Sequence, residues 1–213
     1  MRLAISKGRI LEDALKVLER CDVKCNESPL SSRKLIFSTN IKHLEIIVVR
    51  ASDVPLYIES GKVDMGIVGK DTLLETNKNN HFRLLDLNIA ECKLIVAAKN
   101  KVKLKNNMKV ATKYPNITRK FFHNKGFQCS VMKLYGSIEL AAVLNMADAI
   151  VDLVETGQTL KENGLKEIEL IHKISSMLIV NKSSYKINRK KIDNLVNLMN
   201  TACLLYTSDA ADE

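Results

Sequence analysis

Residues 147–160 read Ala-Asp-Ala-Ile-Val-Asp-Leu-Val-Glu-Thr-Gly-Gln-Thr-Leu, and they hold the residue types best suited to chemistry in this chain of 213 residues. From Ala149 to Val154 every residue is aliphatic or β-branched except Asp152, a strand pattern; Glu155, Thr156, Gly157, Gln158 and Thr159 then form a polar turn, and residues 160–163 resume a helical composition. A strand that feeds a helix through such a turn makes an anion site, because the first N–H groups of a helix have no internal partner and the helix dipole adds about half a positive charge there. Gly157 lets the backbone come close to a phosphate, and Thr156 and Thr159 add donors. Asp152 is costly inside a buried strand unless it holds something. Ribose hydroxyls beside a bound phosphate would repay that cost, and so would capping of the helix that follows. Spacing alone leaves both readings open.

A second junction of this kind stands at the start of the chain. Arg2–Ser6 is an apolar strand pattern, Lys7-Gly8-Arg9 a basic turn, and residues 10–21 a helix with Leu11, Ala14, Leu15 and Leu18 on one face. The turn is either a phosphate cradle or a solvated basic loop. Residues 34–38 and 44–49 read as strands, and Arg50 follows the second. It faces the same edge as Lys7 and Arg9 if the two strands are parallel neighbours, and is otherwise a surface arginine. Asp53 is expected to cap a helix that begins Val54-Pro55 and closes at Gly61. Residues 65–68 are a short buried strand ahead of the turn Gly69-Lys70-Asp71-Thr72.

The remaining elements repeat this pattern. Residues 77–81 form a polar loop, residues 83–87 and 92–98 strands, and residues 100–107 a lysine-rich solvated loop. A strand over 109–112, a helix over 116–125 stopped by Gly126, a strand over 128–134 and a helix over 137–144 lead into the Asp152 strand. Strands at 167–174 and 176–180 carry the chain back, and residues 188–202 form a final amphipathic helix with Ile192, Leu195, Val196 and Met199 on one stripe. Strand and helix alternation in two halves, with a late return, predicts two α/β lobes joined by a hinge with a ligand site in the cleft between them: residues 1–95 plus about 176–202, and residues 96–175.

Bulk properties narrow the function. The chain is 46% hydrophobic and 27% charged, as soluble globular proteins are. It has no apolar run of membrane-spanning length and no leader-like start, so a cytoplasmic protein is expected. Cys21, Cys25, Cys92, Cys129 and Cys203 lack paired spacing and are read as free thiols rather than a disulfide or zinc framework. His43, His81, His123 and His172 fall in no nucleophile or metal arrangement and are read as structural or exposed. A net charge of +9 invites nucleic acid, yet aromatics are 5% of the chain and do not interleave with the lysines. Residues 203–213, Cys-Leu-Leu-Tyr-Thr-Ser-Asp-Ala-Ala-Asp-Glu, match a translated sequencing-library adapter and are set apart as a non-native tail. Without them 33 bases face 21 acids, a net charge of +12.

Residues 133–180, with Lys-Leu-Tyr-Gly-Ser-Ile-Glu-Leu-Ala, Asp-Leu-Val-Glu-Thr-Gly-Gln-Thr-Leu-Lys-Glu-Asn-Gly-Leu and Leu-Ile-Val, closely resemble the signature region of ATP phosphoribosyltransferases. Ser6-Lys7-Gly8-Arg9, Asp53-Val54-Pro55, Gly66-Ile67-Val68-Gly69-Lys70-Asp71 and Ala111-Thr112-Lys113-Tyr114-Pro115-Asn116 agree in order, so the resemblance spans residues 1 to about 200. Asn145 departs from the family's usual glycine, and Ala142 and Val143 replace a proline-containing turn; asparagine tolerates a left-handed helix end better than other non-glycine residues.

The resemblance implies a type II periplasmic-binding-protein-like pair of lobes. It implies a reaction in which N1 of the adenine of ATP attacks C1 of phosphoribosyl pyrophosphate and expels pyrophosphate, assisted by Mg²⁺ carried on the substrate phosphates, with no metal ligand from the protein. By resemblance Asp152 and Arg9 are catalytic, Asp152 orients the ribose hydroxyls, and Glu155, Thr156, Gly157, Gln158 and Thr159 wrap the 5′-phosphate. Lys7, Gly8, Arg9, Arg50, Asp71 and Tyr114 hold ATP, with Asp71 either a ligand to adenosine or a helix cap. The length fits the family's short form, which implies a homodimer of this chain and a hetero-octamer with a histidyl-tRNA-synthetase-like regulatory subunit. A non-catalytic two-lobed solute- or effector-binding protein is the competing class, weakened by the lack of an export signal and of a helix-turn-helix segment.

Overall fold

The computed structural model describes residues 1–76, 80–100 and 102–209, with side chains described through Leu204. These residues divide into two compact units. The first takes residues 1–73, 80–90 and 175–209, and the second residues 74–76, 91–100 and 102–174. The division therefore falls near residues 90 and 174 and also inside one helix, a point that no local sequence pattern marks.

In the first unit the strands are β1 (Arg2–Ser6), β2 (Ile36–Ser38), β3 (Glu45–Val49), β4 (Met65–Gly69), β5 (His81–Asp86) and, numbered after those of the second unit, β11 (Ser176–Asn181). They form one sheet in the order β2-β3-β1-β4-β11-β5. β3, β1 and β4 run parallel, while β2, β11 and β5 run antiparallel to their neighbours. The parallel core needs cover on both faces, which is why Leu3, Ala4 and Ile5 are all fully buried despite the alternation of a strand. Leu3 and Ile5 pack under α1 (Arg9–Arg20) and α7 (Lys182–Asp209), against Leu11, Leu18, Ile192 and Met199. Ala4 faces α2 (Val54–Glu59) and α3 (Lys70–Thr76), against Val54, Ile58 and Leu73.

The second unit holds β6 (Cys92–Lys99), β7 (Met108–Thr112), β8 (Cys129–Lys133), β9 (Ala149–Val154) and β10 (Leu165–Ile174) in the order β10-β6-β9-β7-β8. Here β8, β7 and β9 are parallel, and β6 and β10 antiparallel. Leu94, Val96, Val110 and Val151 pack under α4 (Pro115–Asn124) with Phe122, and Ile95, Ala111 and Ile150 pack under α5 (Glu139–Val143) and α6 (Gln158–Glu162). Burying each such aliphatic side chain contributes about 1.5–3 kcal/mol.

Helix ends follow one chemistry. After α1, α4 and α5 the chain turns left-handed at Asp22 (φ 56°), Gly126 (φ 78°) and Asn145 (φ 58°). In each case the next amide bonds back five residues: Val23 to the Leu18 carbonyl at 2.9 Å, Phe127 to Phe122 at 2.9 Å and Met146 to Ala141 at 2.8 Å. Asn145 thus takes the conformation its glycine counterpart would, and its Oδ1 accepts from Lys99 Nζ at 2.7 Å.

Several expectations are corrected. Asp53 does not cap α2 with its side chain: the chain enters through a 3-10 turn (Ala51–Asp53), Asp53 already has helical angles, and its carboxylate accepts from Ser52 Oγ at 2.8 Å. Asp71 is no cap either, since α3 begins at Lys70 and places Asp71 in its first turn. A helical stretch not expected from the sequence precedes the last one: α7 begins at Lys182, where the Asn181 Oδ1 accepts the N–H groups of Ser183 and Ser184, both at 2.9 Å, and non-helical angles at Asn188 (φ −111°, ψ 23°) mark the kink at which the expected final helix begins. α7 continues to Asp209, and Cys203 is 4% exposed within the first unit's core, where burial pushes its thiol up to about 11. The expected loop at 77–81 lies outside the described residues over 77–79, as do residue 101 of the lysine-rich loop and residues 210–213 of the tail.

Candidate functional site

The site residues collect at the carboxyl ends of parallel strands, where open α/β sheets place their ligands. In the first unit, β1 and β3 are parallel neighbours in the register Ser6↔Val49, and the Lys7 N–H donates to the Val49 carbonyl at 2.9 Å. Lys7-Gly8-Arg9 and Arg50 therefore leave the sheet side by side, and Gly69-Lys70-Asp71 follows from β4 on the other flank of β1. Lys7 and Arg50 are exposed. Gly8 caps α1 at φ 91°, ψ −151°, a region that only glycine occupies readily, and an added Cβ would meet nothing within 4 Å. The backbone here is bent for an open approach, not for packing.

Asp71 is 8% exposed. Gly69 makes room for it, since a Cβ at Gly69 would lie 2.1 Å from Asp71 Oδ1. Ser6, at the head of the turn, is fully buried and its hydroxyl has no hydrogen-bond partner among the described residues. A hydroxyl closing the apolar run Leu3-Ala4-Ile5 was a signal the sequence offered. Tyr114 belongs to the second unit, is 5% exposed, and packs in that unit's core beside Phe122.

In the second unit Asp152 is partly buried on the α5 and α6 face of β9. Burial pushes its carboxyl from the ordinary 3.8 up to about 6, and the negative charge of Glu139 adds to the rise. The Leu153 N–H, which donates to Asp152 Oδ1 at 2.8 Å, and the charge of Lys113 oppose it. Lys113 and Glu139 come from the ends of other elements, so spacing gave no sign of them.

Beyond Asp152 the turn is built as a backbone cradle. Gly157 is left-handed at φ 77° and caps α6, a helix of only 5 residues. So short a helix has little dipole, and attraction for an anion must come from local donors. Thr156 Oγ1 accepts the Gln158 N–H at a long 3.4 Å, and Lys161 N bonds to the Gly157 carbonyl at 3.1 Å. The Gln158 side chain is tied along the helix to Glu162 Oε1 at 2.8 Å, which leaves its backbone rather than its amide to face a ligand. Glu155, Thr156, Gln158 and Thr159 are exposed. Beside them Glu155, Thr156 and Gly157 share a hollow of ≈ 440 Å³ with Lys93, Lys161 and Lys166.

Two α/β units, each ending its parallel strands in polar, glycine-containing turns, define a protein of the type II periplasmic-binding-protein-like class. The aliphatic sulphonate binding protein SsuA of Escherichia coli has this fold, at TM-score 0.65 and 14% identity, over 100% of this chain and 75% of that one. Closer relatives narrow the class. The profile of the ATP phosphoribosyltransferase family (HisG) matches residues 50–201. ATP phosphoribosyltransferases of Ruthia magnifica and Clostridium acetobutylicum are 49% and 45% identical over 197 and 199 residues, spanning 92% of this chain and 96% and 92% of theirs. The ATP phosphoribosyl transferase (HisG:HisZ) complex from Thermotoga maritima aligns at TM-score 0.82 and 30% identity, over 95% of this chain and 98% of that one. The chain belongs to the ATP phosphoribosyltransferase family.

Proposed function

We infer that the protein condenses ATP with phosphoribosyl pyrophosphate to give phosphoribosyl-ATP and pyrophosphate, the first step of histidine biosynthesis. Within a chain of this family, the observation that carries the reading is Asp152, a carboxylate raised to about 6 at the end of a parallel strand and followed at once by the glycine turn 155–159. Transfer at a ribosyl carbon passes through a cationic, oxocarbenium-like centre, so positioning and charge matter more than a strong base. Asp152 orients the ribose hydroxyls. The backbone and hydroxyls of Glu155, Thr156, Gly157, Gln158 and Thr159 hold the 5′-phosphate. Lys7, Gly8, Arg9, Arg50 and Asp71 bind ATP, Arg9 being the cation assigned to the reacting phosphates, and Tyr114 is assigned to ATP by resemblance alone.

We assign Mg²⁺ to the substrate phosphates. This ion usually keeps several of its waters and is bound through substrate phosphates with few protein ligands. We place the enzyme in the cytoplasm; no helix among the described residues is long and apolar enough to cross a membrane. We further propose a regulatory partner resembling histidyl-tRNA synthetase, in a hetero-octamer, with a homodimer of this chain as the unit on its own. The family likeness to the two-component complex of Thermotoga maritima supports the partner.

The test is to incubate the chain with ATP, Mg²⁺ and phosphoribosyl pyrophosphate, with and without that partner, and to follow pyrophosphate and phosphoribosyl-ATP. Product is expected with the partner, and little without it. Binding of both substrates with no product under either condition would overturn the catalytic reading in favour of a solute-binding one.

A further inference from the structure

The parallel ladder between β7 and β9 stops at the pair Thr112↔Val151, one residue short of Asp152. Beyond it β9 keeps a neighbour on one side only, through the β6 pairs Ile95↔Asp152, Leu94↔Leu153 and Lys93↔Val154. A ladder that ends beside a buried strand strands backbone polar groups, and each must find another partner. One side chain closes the gap. Thr112, fully buried, donates its hydroxyl proton to the Val151 carbonyl at 2.7 Å and accepts the Tyr114 N–H at 2.9 Å.

That carbonyl belongs to the peptide joining Val151 to Asp152, so the Thr112 hydroxyl fixes the plane from which Asp152 projects. The peptide on its other side is held by Asp152 itself, through the Leu153 N–H. Thr112 is in turn held by an anchored turn. Glu75, reaching from α3, accepts the N–H of Asn116 at 3.0 and 3.1 Å and of Ile117 at 3.0 Å, which pins the start of α4, and Thr118 Oγ1 donates back to the Tyr114 carbonyl at 2.7 Å. β7 has to leave the sheet here to begin α4, so its backbone cannot continue the ladder. Only a side chain that donates and accepts at one atom can splice the two directions, and a hydroxyl does so.

We propose that Thr112 is a positioning residue for Asp152, orienting the carboxylate toward the phosphoribosyl substrate without touching that substrate. The proposal rests on the assignment of Asp152 to that substrate.

Thr112→Val keeps the shape and removes the hydroxyl; Thr112→Ser keeps the hydroxyl. Phosphoribosyl pyrophosphate and ATP are titrated by calorimetry into the full chain from pH 5 to 8, alongside Asp152→Asn and the unsubstituted chain, so that the ligand's own titration cancels. Thr112→Val is expected to melt as a folded protein and to bind phosphoribosyl pyrophosphate about tenfold more weakly, the size of one lost buried hydrogen bond, with ATP affinity changed less than about twofold. The midpoint of its pH dependence is expected to fall toward that of an ordinary carboxyl, because a loosened Asp152 gains water while Lys113 and Glu139 stay in place. Thr112→Ser is expected to restore both. Unchanged affinity and midpoint in Thr112→Val, with binding lost in Asp152→Asn, would overturn the proposal and leave the Asp152 assignment standing. Indifference of both variants would remove the assignment and the proposal with it. If Thr112→Val and Thr112→Ala both fail to fold while Thr112→Ser folds, the hydroxyl serves folding and the positioning role is rejected.

Discussion

The two units build the same sheet end and arm it differently. In each, the middle strand of a parallel trio comes first in the chain, β1 or β7, the next parallel strand lies on one flank and the third on the other. An antiparallel strand from elsewhere in the chain, β11 or β6, then pairs with the third. At the first unit's edge long cationic side chains, Lys7, Arg9 and Arg50, stand around a glycine turn, with the carboxylate of Asp71 buried beside them. At the second unit's edge they are short, namely a partly buried carboxylate, two threonine hydroxyls and backbone N–H groups. Topology fixes where a ligand edge forms, and the residues on the turns fix whether it works by charge or by shape.

The largest effect expected from this contrast falls on Asp152. A carboxyl moved from 3.8 to about 6 binds its proton more tightly in the folded state. Below 3.8 the group is neutral in both states and costs nothing; as pH rises through about 6 its ionisation costs about 3 kcal/mol of stability, which persists at neutral pH. Asp152→Asn is therefore expected to raise the melting temperature by several degrees at pH 7.5 and by little at pH 3.5, while turnover falls about ten- to a hundredfold. Binding of phosphoribosyl pyrophosphate to the unsubstituted chain should weaken as pH drops below about 6. A variant no more stable than its parent at pH 7.5 would show that Asp152 is not strained by burial.

A smaller effect separates charge from shape directly. Arg9→Gln with Arg50→Gln is expected to raise the Michaelis constant for ATP about tenfold at low salt, and the difference from the unsubstituted chain should shrink as salt screens exposed charges. Thr156→Val with Thr159→Val is expected to raise the constant for phosphoribosyl pyrophosphate three- to tenfold, with a difference that salt does not change. Equal losses for both substrates in either pair would erase the contrast between the edges.

Which parts of this were legible in the sequence follows from range. β1 and β9 were readable because their apolar runs and flanking turns are local, and Gly8 and Gly157 marked turns that have positive φ. Asp53 misled because a 3-10 turn and a cap begin with the same residue types. The start of α4 is capped by Glu75, 41 positions away, and the start of α7 by Asn181, whose Nδ2 is tied to the Ile58 carbonyl 123 positions away. No periodicity reaches that far. Thr112 escaped for the same reason: its partner Val151 is 39 residues on, and a threonine ending a strand looks ordinary until the neighbouring strand is known. Cys203 stood in a stretch whose composition breaks from what precedes it, yet the helix carries it into the core.

The smallest expected effect concerns the helix ends that the two units share. α1 in the first unit ends on a left-handed Asp22, and α5 in the second on a left-handed Asn145. Glycine at 145 would relieve a left-handed strain of up to about 1 kcal/mol, but it adds about 0.5–1 kcal/mol of backbone freedom to the unfolded chain. It would also remove the bond from Lys99 Nζ, leaving that ammonium the Val143 carbonyl at 3.1 Å; an exposed contact of this kind contributes about 0–1 kcal/mol. These contributions nearly cancel. Asn145→Gly is expected to shift the melting temperature by less than about two degrees, whereas Asn145→Ala, which keeps the strain and loses the amide, should cost about 1–2 kcal/mol. Thermal melts of both, repeated on a Lys99→Ala background, isolate the side-chain contact. A gain of several degrees in Asn145→Gly would mean that Lys99 contributes nothing, and that the departure from glycine weakens the helix end seven residues before Asp152 without compensation.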